Sequence, residues 1–352
     1  MDLVHQNSIK NQHNTIATFK KNIMKPQMKK LQLMLTLICF STMGIYENLV
    51  AQESGYKKND IQPIDSTYFS KDRLKGRVIV VTGGARGIGR ATAIRASREG
   101  AAVVIGDWLE TQGEATAKYI RKEGGKALFV KTDIRKTEDC DRLISEAVRV
   151  YGKVDGALLN AGVMDGTFSG DPFDYDKQFK LLPARADQAT DEYWNNVIDV
   201  NVTGTFKTMR SVSKQLLKQG KGGSIVTVGS IAGLTGLAGN PAYVASKHAV
   251  NGLTRNAAID FAPFGIRVNS VNMAATTTPM TDKAFAYVKE VKKRGIPGMG
   301  GAKTESLLMM NDSKHRMATV WEQAAVILFL LSDEASNLTG VLTPTDGGWT
   351  AY

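Results

Sequence analysis

The sequence predicts a single α/β domain, a doubly wound parallel sheet of about seven strands with helices on both faces. Three observations carry this. From residue 75 onward, short apolar runs alternate with segments of helical spacing, and the connections are short. The first run leads straight into a glycine-rich loop and then a helix. No internal repeat and no shift of composition follows residue 75, so one domain is expected to cover 71–352.

In chain order, strands are expected at 77–82, 102–106, 127–132, 156–159, 224–228, 266–271 and 341–345, because each is a short, β-branched apolar run of the kind buried on both faces. Helices are expected at about 87–99, 110–123, 137–150, 190–218, 243–262 and 318–331. Between the first strand and first helix stands T-G-G-A-R-G-I-G, 82–89. Gly83, Gly87 and Gly89, with Arg86 and Ile88 between them, let the backbone turn tightly and approach a pyrophosphate at the helix amino end, where free N–H groups and the helix dipole favour anions. The second strand ends at Asp107, 24 residues after Gly83. A carboxylate there accepts both ribose hydroxyls of an adenosine and repels a 2′-phosphate, which favours NAD over NADP. Arg86, a cation inside the loop, is the feature that speaks for NADP.

At 223–255 a buried strand and a helix flank one point, where Ser230, Tyr243 and Lys247 lie. Tyr243 and Lys247 are four apart and share a helix face. An ammonium beside a phenol favours the phenolate, which suits proton exchange with an alcohol near neutral pH.

With these parts in hand the chain resembles the classical short-chain dehydrogenase/reductase (SDR) family, from about residue 74 to 348, because several independent motifs fall in order. T-G-x-x-x-G-x-G is at 82–89, Asp133-Ile134 follows the third strand, and Asn160-Ala161-Gly162 ends the fourth. Asn201 sits in D-V-N-V-T-G, Ser230 precedes Tyr243 by thirteen residues, and Lys247 completes Y-x-x-x-K. The resemblance implies a Rossmann-type fold and reversible hydride transfer between NAD(H) and a secondary alcohol or ketone. Tyr243 would be the general acid/base, Lys247 would lower its pKa and bind the nicotinamide ribose, Ser230 would orient the substrate oxygen, and Asn201 would hold a water in a proton relay. Asp133 would contact adenine, and Thr278 with the backbone near Thr276 would meet the carboxamide. A homodimer or homotetramer, paired through the helices at 190–218 and 243–262, is also implied. Two alternatives stay open: a catalytically weak dinucleotide-binding or interaction protein on the same scaffold, and an NADPH-dependent 3-oxoacyl-thioester reductase.

The chain departs from the family pattern at three places. Met273-Ala274 replaces the usual Pro-Gly after the sixth strand. An insertion at 165–187, rich in Asp and with Phe168, Phe173, Tyr175 and Phe179, either borders the substrate or is a solvated loop. The lid region, 281–317, is long and basic (Lys289, Lys292, Lys293, Arg294, Lys303, Lys314, Arg316), which either welcomes a carboxylated substrate or is a solvated helical face.

Composition sets the remaining bounds. The 352 residues are 43% hydrophobic and carry a net charge of +11, but the basic residues are mixed with acids and no nucleic-acid signature accompanies them, so no nucleic-acid partner is expected. Two cysteines, Cys39 and Cys140, make no disulfide framework, and four scattered histidines make no metal site. The first 70 residues differ: lysines precede an apolar block at 31–45 and a small residue follows, the form of a signal peptide. The block is short for a span of about 20 residues, so a membrane partner is expected only if it stays as an uncleaved anchor. Met24 or Met28 would be a more ordinary start for such a signal. Export would separate the enzyme from its dinucleotide, which instead favours the cytoplasm.

Overall fold

The computed structural model describes residues 59–167, 173–296 and 305–351. The expectations for the amino-terminal signal-like block, Cys39, Phe168 and Lys303 fall outside these residues. One compact unit spans Ile61–Tyr352. Its strands are β1 Val78–Thr82, β2 Ala102–Asp107, β3 Lys126–Lys131, β4 Gly156–Leu159, β5 Gly223–Val228, β6 Ile266–Met273 and β7 Leu342–Thr345. They form one sheet in the order β3-β2-β1-β4-β5-β6-β7, every pair parallel.

The helices are α1 Gly87–Arg98, α2 Glu110–Lys122, α3 Thr137–Tyr151, α4 Tyr175–Gln178, α5 Asp191–Ile198, α6 Thr205–Gln219, α7 Pro241–Phe261, α8 Pro279–Lys293, α9 Leu307–Asn311 and α10 Val320–Leu331. Alternate residues of each strand point to opposite faces, so the sheet builds two cores. Ile79, Val81, Val103 and Ile105 pack with α1, α2 and α10. Val78, Val80, Val104 and Ile225 pack with α3, α6 and α7. Each fully buried aliphatic side chain contributes roughly 1.5–3 kcal/mol, and strands buried on both faces read as the unbroken apolar runs from which they were expected.

Several details differ from expectation: α4, α8 and α9 stand where no helix was expected. Residues 191–219 form one continuous helical stretch, but Asp199–Gly204 is wound as a π-helix between α5 and α6. And β6 continues to Met273, paired with Thr345 of β7. A proline at 274 or 273 would remove a ladder donor or fix the backbone there; Met273-Ala274 lets the strand run on. Among the described residues no helix is long and apolar enough to cross a membrane.

From β1 the chain moves to β2 and β3 on one side and to β4 through β7 on the other. The carboxyl ends of β1 and β4 therefore bound the crevice where the strand order reverses, the place where open α/β sheets hold ligands.

Candidate active site

A cleft opens at that reversal. It is lined by Gly83, Arg86, Gly87 and Ile88 from the glycine loop, by Asp107, by Asp133 and Ile134, by Asn160, Ala161 and Gly162, and by Thr278. All of these were expected from the sequence.

The loop geometry explains why glycines stand where they do. Gly83 has φ +67, in the left-handed region. A Cβ on Gly89 would lie 2.1 Å from the Gly83 carbonyl oxygen, so only a bare Cα lets α1 begin against the turn. The turn is held from β4: the Asn160 amide donates to the carbonyls of Thr82 at 3.2 Å and Gly83 at 3.0 Å, and the Asn160 N–H donates to Thr82 Oγ1 at 3.1 Å. Thr278 caps α8 in a reciprocal capping box with Thr281 and faces the loop, its Cγ2 only 3.7 Å from where a Gly87 Cβ would stand.

Asp107 is buried at the end of β2. Its two carboxylate oxygens accept one backbone N–H each, from Ala85 at 2.9 Å and Leu109 at 3.0 Å, which leaves further lone pairs on both. Burial raises its pKa; these N–H groups and the Arg86 cation act against that. Asp133 is forked onto Arg135, at 2.9 Å and 2.7 Å, and this pair holds its carboxyl low.

Deeper in, Ser230, Tyr243, Lys247 and Asn201 are all buried. Pro241 at the first position of α7 starts the helix that carries Tyr243 and Lys247. Ser230 lies two residues past the end of β5, and its Oγ accepts the Ala232 N–H at 3.1 Å. Its hydroxyl also acts on the Tyr243 phenol, favouring the ionised form. Lys247 Nζ donates to Val228 O at 2.8 Å and lies 5.5 Å from the Tyr243 ring centroid. The π-turn aims Asn201 across the same space. Its Oδ1 accepts from Val163 N at 2.8 Å, and its Nδ2 donates to Val163 O at 2.8 Å and to Ser246 Oγ at 3.0 Å. Both amide protons are thus committed; the capacity left for a water is on Oδ1. A Cβ at Gly162 would be 3.2 Å from Asn201 Oδ1 and 3.7 Å from Lys247 Nζ. Gly162 therefore joins the cleft to this inner group.

The ionisation of Tyr243 corrects the expectation from helical spacing. Its pKa is raised, because burial disfavours the phenolate more than the neighbouring Ser230 hydroxyl favours it. Lys247 is pushed down to about 8 by the same burial, and one of its three donors goes to the Val228 carbonyl. The sign of the consequence follows from proton binding: the unfolded chain holds the Lys247 proton up to its model value of 10.5 and the native state up to about 8. The burden of burying this charge is therefore fully felt below pH 8 and is relieved as pH rises from 8 to 10.5. The shift corresponds to something on the order of 3 kcal/mol. Urea titrations of the wild type and Lys247→Met across this window are expected to show the wild type gaining stability relative to the variant; parallel curves would contradict it.

The Thr276 side chain is buried, where Oγ1 donates to Ala274 O and accepts from Gln323 Nε2, both at 3.2 Å. The insertion is not a solvated loop in its described parts, 165–167 and 173–187: Phe173, Tyr175 and Leu182 pack on Tyr287 and Val291 of α8, while Phe179 is exposed. Of the basic lid residues, Arg294 and Arg316 are engaged by acids, at 2.8 Å from Asp176 and 3.2 Å from Glu322. Among the described residues the lid cation that lines the cleft is Lys283.

Sequence reasoning passed over several residues. Trp108, Leu109, Val163, Met164, Asp165 and Lys283 line the cleft. Asn251 and Asn272 brace the Ser230 turn: Asn272 Oδ1 accepts from Ser230 N at 3.2 Å and from Asn251 Nδ2 at 2.8 Å, and Asn251 Nδ2 also donates to Gly233 O at 3.0 Å. The available signal was a polar side chain inside the segment read as helix, 243–262, and another directly after the strand expected at 266–271.

Comparison with known proteins places this geometry. Residues 77–288 match the family described as short chain dehydrogenase. A 3beta-hydroxysteroid dehydrogenase of Mediterraneibacter gnavus is 37% identical over 289 residues, covering 81% of this chain and 98% of that protein. A 2,5-dichloro-2,5-cyclohexadiene-1,4-diol dehydrogenase of Sphingobium indicum is 35% identical over 278 residues, covering 79% and 98%. The crystal structure of a short chain dehydrogenase from Mycobacterium paratuberculosis bound to NAD superposes with a TM-score of 0.68 at 28% identity, covering 80% of this chain and all of that one. A cleft at the strand reversal, a glycine turn braced by Asn160 and a buried Ser230–Tyr243–Lys247 group thus accompany similarity along most of the chain, which belongs to the short-chain dehydrogenase family.

Proposed function

We propose that the protein is an NAD(H)-dependent oxidoreductase that interconverts a secondary alcohol and a ketone, with Tyr243 as general acid/base. The observation that carries this is the buried meeting of Ser230, Tyr243 and Lys247 beside Gly162, at the inner end of a cleft shaped for a dinucleotide. The cleft fits that group: Gly83 and Gly89 let the loop turn tightly against the amino end of α1, where free N–H groups favour a pyrophosphate, and Asp107 keeps lone pairs for two ribose hydroxyls. Arg86, Gly87, Ile88, Asp133, Ile134, Asn160, Ala161, Gly162 and Thr278 would complete the binding surface. When bound, the nicotinamide supplies the acceptor or donor of hydride.

The chain's own residues would do the rest. Ser230 Oγ and the Tyr243 phenol, both buried and close enough for the serine to favour the phenolate, would present two groups to one substrate oxygen. In ketone reduction Tyr243 gives its proton to the developing alkoxide; in alcohol oxidation the phenolate takes it. The raised pKa keeps the phenol protonated in the free protein, the form that reduction requires. Lys247 would move its ammonium from Val228 O to a ribose hydroxyl and to the phenol, and there favour the phenolate. Asn201, its amide fixed by Val163 and Ser246, would hold a water at Oδ1 for proton exchange.

The two dehydrogenases named above are described as acting on hydroxyl groups borne by rings, and apolar Val163, Met164 and Met280 line this cleft. An alicyclic secondary alcohol is therefore the substrate class we infer. Exposed Trp194, Phe206, Ile259 and Phe264, on or directly after α5, α6 and α7, support pairing of copies through these helices into a homodimer or homotetramer.

The test is reduction of NAD, followed by the absorbance of NADH, with a panel of cyclic secondary alcohols. Tight NADH binding without turnover across alcohols and ketones would leave a dinucleotide-binding protein instead. Cofactor choice has its own test. Asp107→Ala removes the charge that would repel a 2′-phosphate, and the ratio of NADH to NADPH affinity is expected to fall by about tenfold or more, roughly 1.4 kcal/mol per tenfold. An unchanged ratio in a fluorescence titration would remove Asp107 from that role.

A further inference from the structure

The insertion after β4 and the lid helix α8 are tied together by contacts that the catalytic group does not use. Lys283, buried on α8, places Nζ 3.0 Å from a carboxylate oxygen of Asp165 and donates to Thr167 Oγ1. Further along α8, the Tyr287 hydroxyl donates to Pro183 O, and its ring meets Phe173 edge-on with centroids 5.6 Å apart and stacks on Tyr175 at 6.2 Å. Beyond the helix end, Arg294 pairs with Asp176 at 2.8 Å and covers the Tyr175 ring at 4.3 Å.

The outer contacts are enough to attach one element to the other, since aromatic packing and aliphatic burial hold surfaces together without demanding one register. The Lys283–Asp165 pair is different. Both residues line the cleft itself, as do Gly87 and Thr278. Burying a cation and an anion gains little net stability over an apolar pair, but it penalises every arrangement that separates them. Such a pair fixes position. What it fixes is the first turn and a half of α8, whose Thr278 already touches the space beside Gly87.

We propose that Asp165 and Lys283 are positioning residues for the dinucleotide: their ion pair sets α8 so that its capped amino-terminal turn stands against the glycine loop, and the insertion is the fixed half of the lid. The lid of this chain is then a two-part structure. Its helix comes from after β6 and its anchor, Asp165, from after β4, so the start of the insertion contributes to cofactor affinity.

The proposal rests on the reading of the cleft as an NAD(H) site, and the experiment separates the two. NADH affinity is measured by fluorescence titration for the wild type, Asp165→Asn, Lys283→Met and the double variant, with hydrogen exchange of 279–293 and of β1 and β5 followed in the unliganded proteins. Each single variant is expected to weaken NADH at least about tenfold and to speed exchange in 279–293 while the strands stay protected. The double variant should be no weaker than the worse single one, because both act through one pair. A merely structural pair would lower the melting temperature with NADH affinity and α8 exchange unchanged well below it. Should a single variant fail to fold through its orphaned charge, the double variant, which buries none, decides: wild-type affinity in it overturns the proposal, as does an additive loss where the single variants fold. A wild type that binds no NADH overturns the cofactor reading and the proposal together; a wild type that binds, with variants that bind equally, overturns the proposal alone.

Discussion

Replacing Tyr243 by phenylalanine is expected to lower turnover by about 10²–10⁴-fold, the range a positioned general acid or base contributes, with NADH affinity and melting temperature nearly unchanged. The side chain is buried and the ring is kept, so its packing survives. What is lost is the hydroxyl that, on the proposed reading, exchanges a proton with the substrate oxygen beside Ser230. Ser230 keeps its bond from Ala232 N, so no donor of the turn is orphaned. The measurement is steady-state oxidation of a cyclic secondary alcohol together with an NADH titration on the same preparation. Activity within a few-fold of the wild type would end the assignment of Tyr243, and a Ser230→Ala variant compared in the same assay would then show whether the serine alone carries proton exchange.

The parts of this molecule that sequence exposes are those whose cause is local. Parallel strands buried on both faces are apolar at most positions, so β1, β2, β4 and β5 announce themselves within a residue or two of their ends. The glycine turn is equally plain, because a left-handed Gly83 and a Cβ-free Gly89 admit no other residue type. What was hidden depends on folding. Nothing in D-V-N-V-T-G distinguishes a π-turn from an α-turn, since the extra residue is accommodated by contacts of Asn201 with Val163 and Ser246, far along the chain. The spacing of Tyr243 and Lys247 shows a cation one turn from a phenol but not the burial that outweighs it. Lys283 was passed over among the lid lysines because its partner, Asp165, lies before the whole of α5, α6 and α7 in sequence. Charge neighbours are read from spacing only within one helix; across elements they need the fold.

Gly89→Ala is expected to weaken NADH binding by more than about 100-fold, close to 2.8 kcal/mol at 1.4 kcal/mol per tenfold. The added Cβ would meet the Gly83 carbonyl oxygen at 2.1 Å and Asn160 Nδ2 at 2.7 Å, neither of which is the loose end of a flexible side chain. To make room, the carbonyl must swing out of the turn, and it then loses the 3.0 Å bond from Asn160 that sets the height of the loop over β4. The N–H groups at the start of α1 shift with it, away from the place where a pyrophosphate would lie. Overpacking of this kind also costs about 1–3 kcal/mol of stability, so the melting temperature should fall as well. Gly252→Ala is the control: it lies inside α7 with nothing within 4 Å of a new Cβ, and alanine there should leave binding unchanged and stabilise the helix by roughly 0.5–1 kcal/mol. Binding is read by fluorescence titration and stability by thermal melting. If Gly89→Ala bound NADH within threefold of the wild type, the close approach of α1 to the turn would not be what shapes the dinucleotide cleft, and the anion site would have to be sought at the amino end of α8, where Thr278 faces the same loop from the other side.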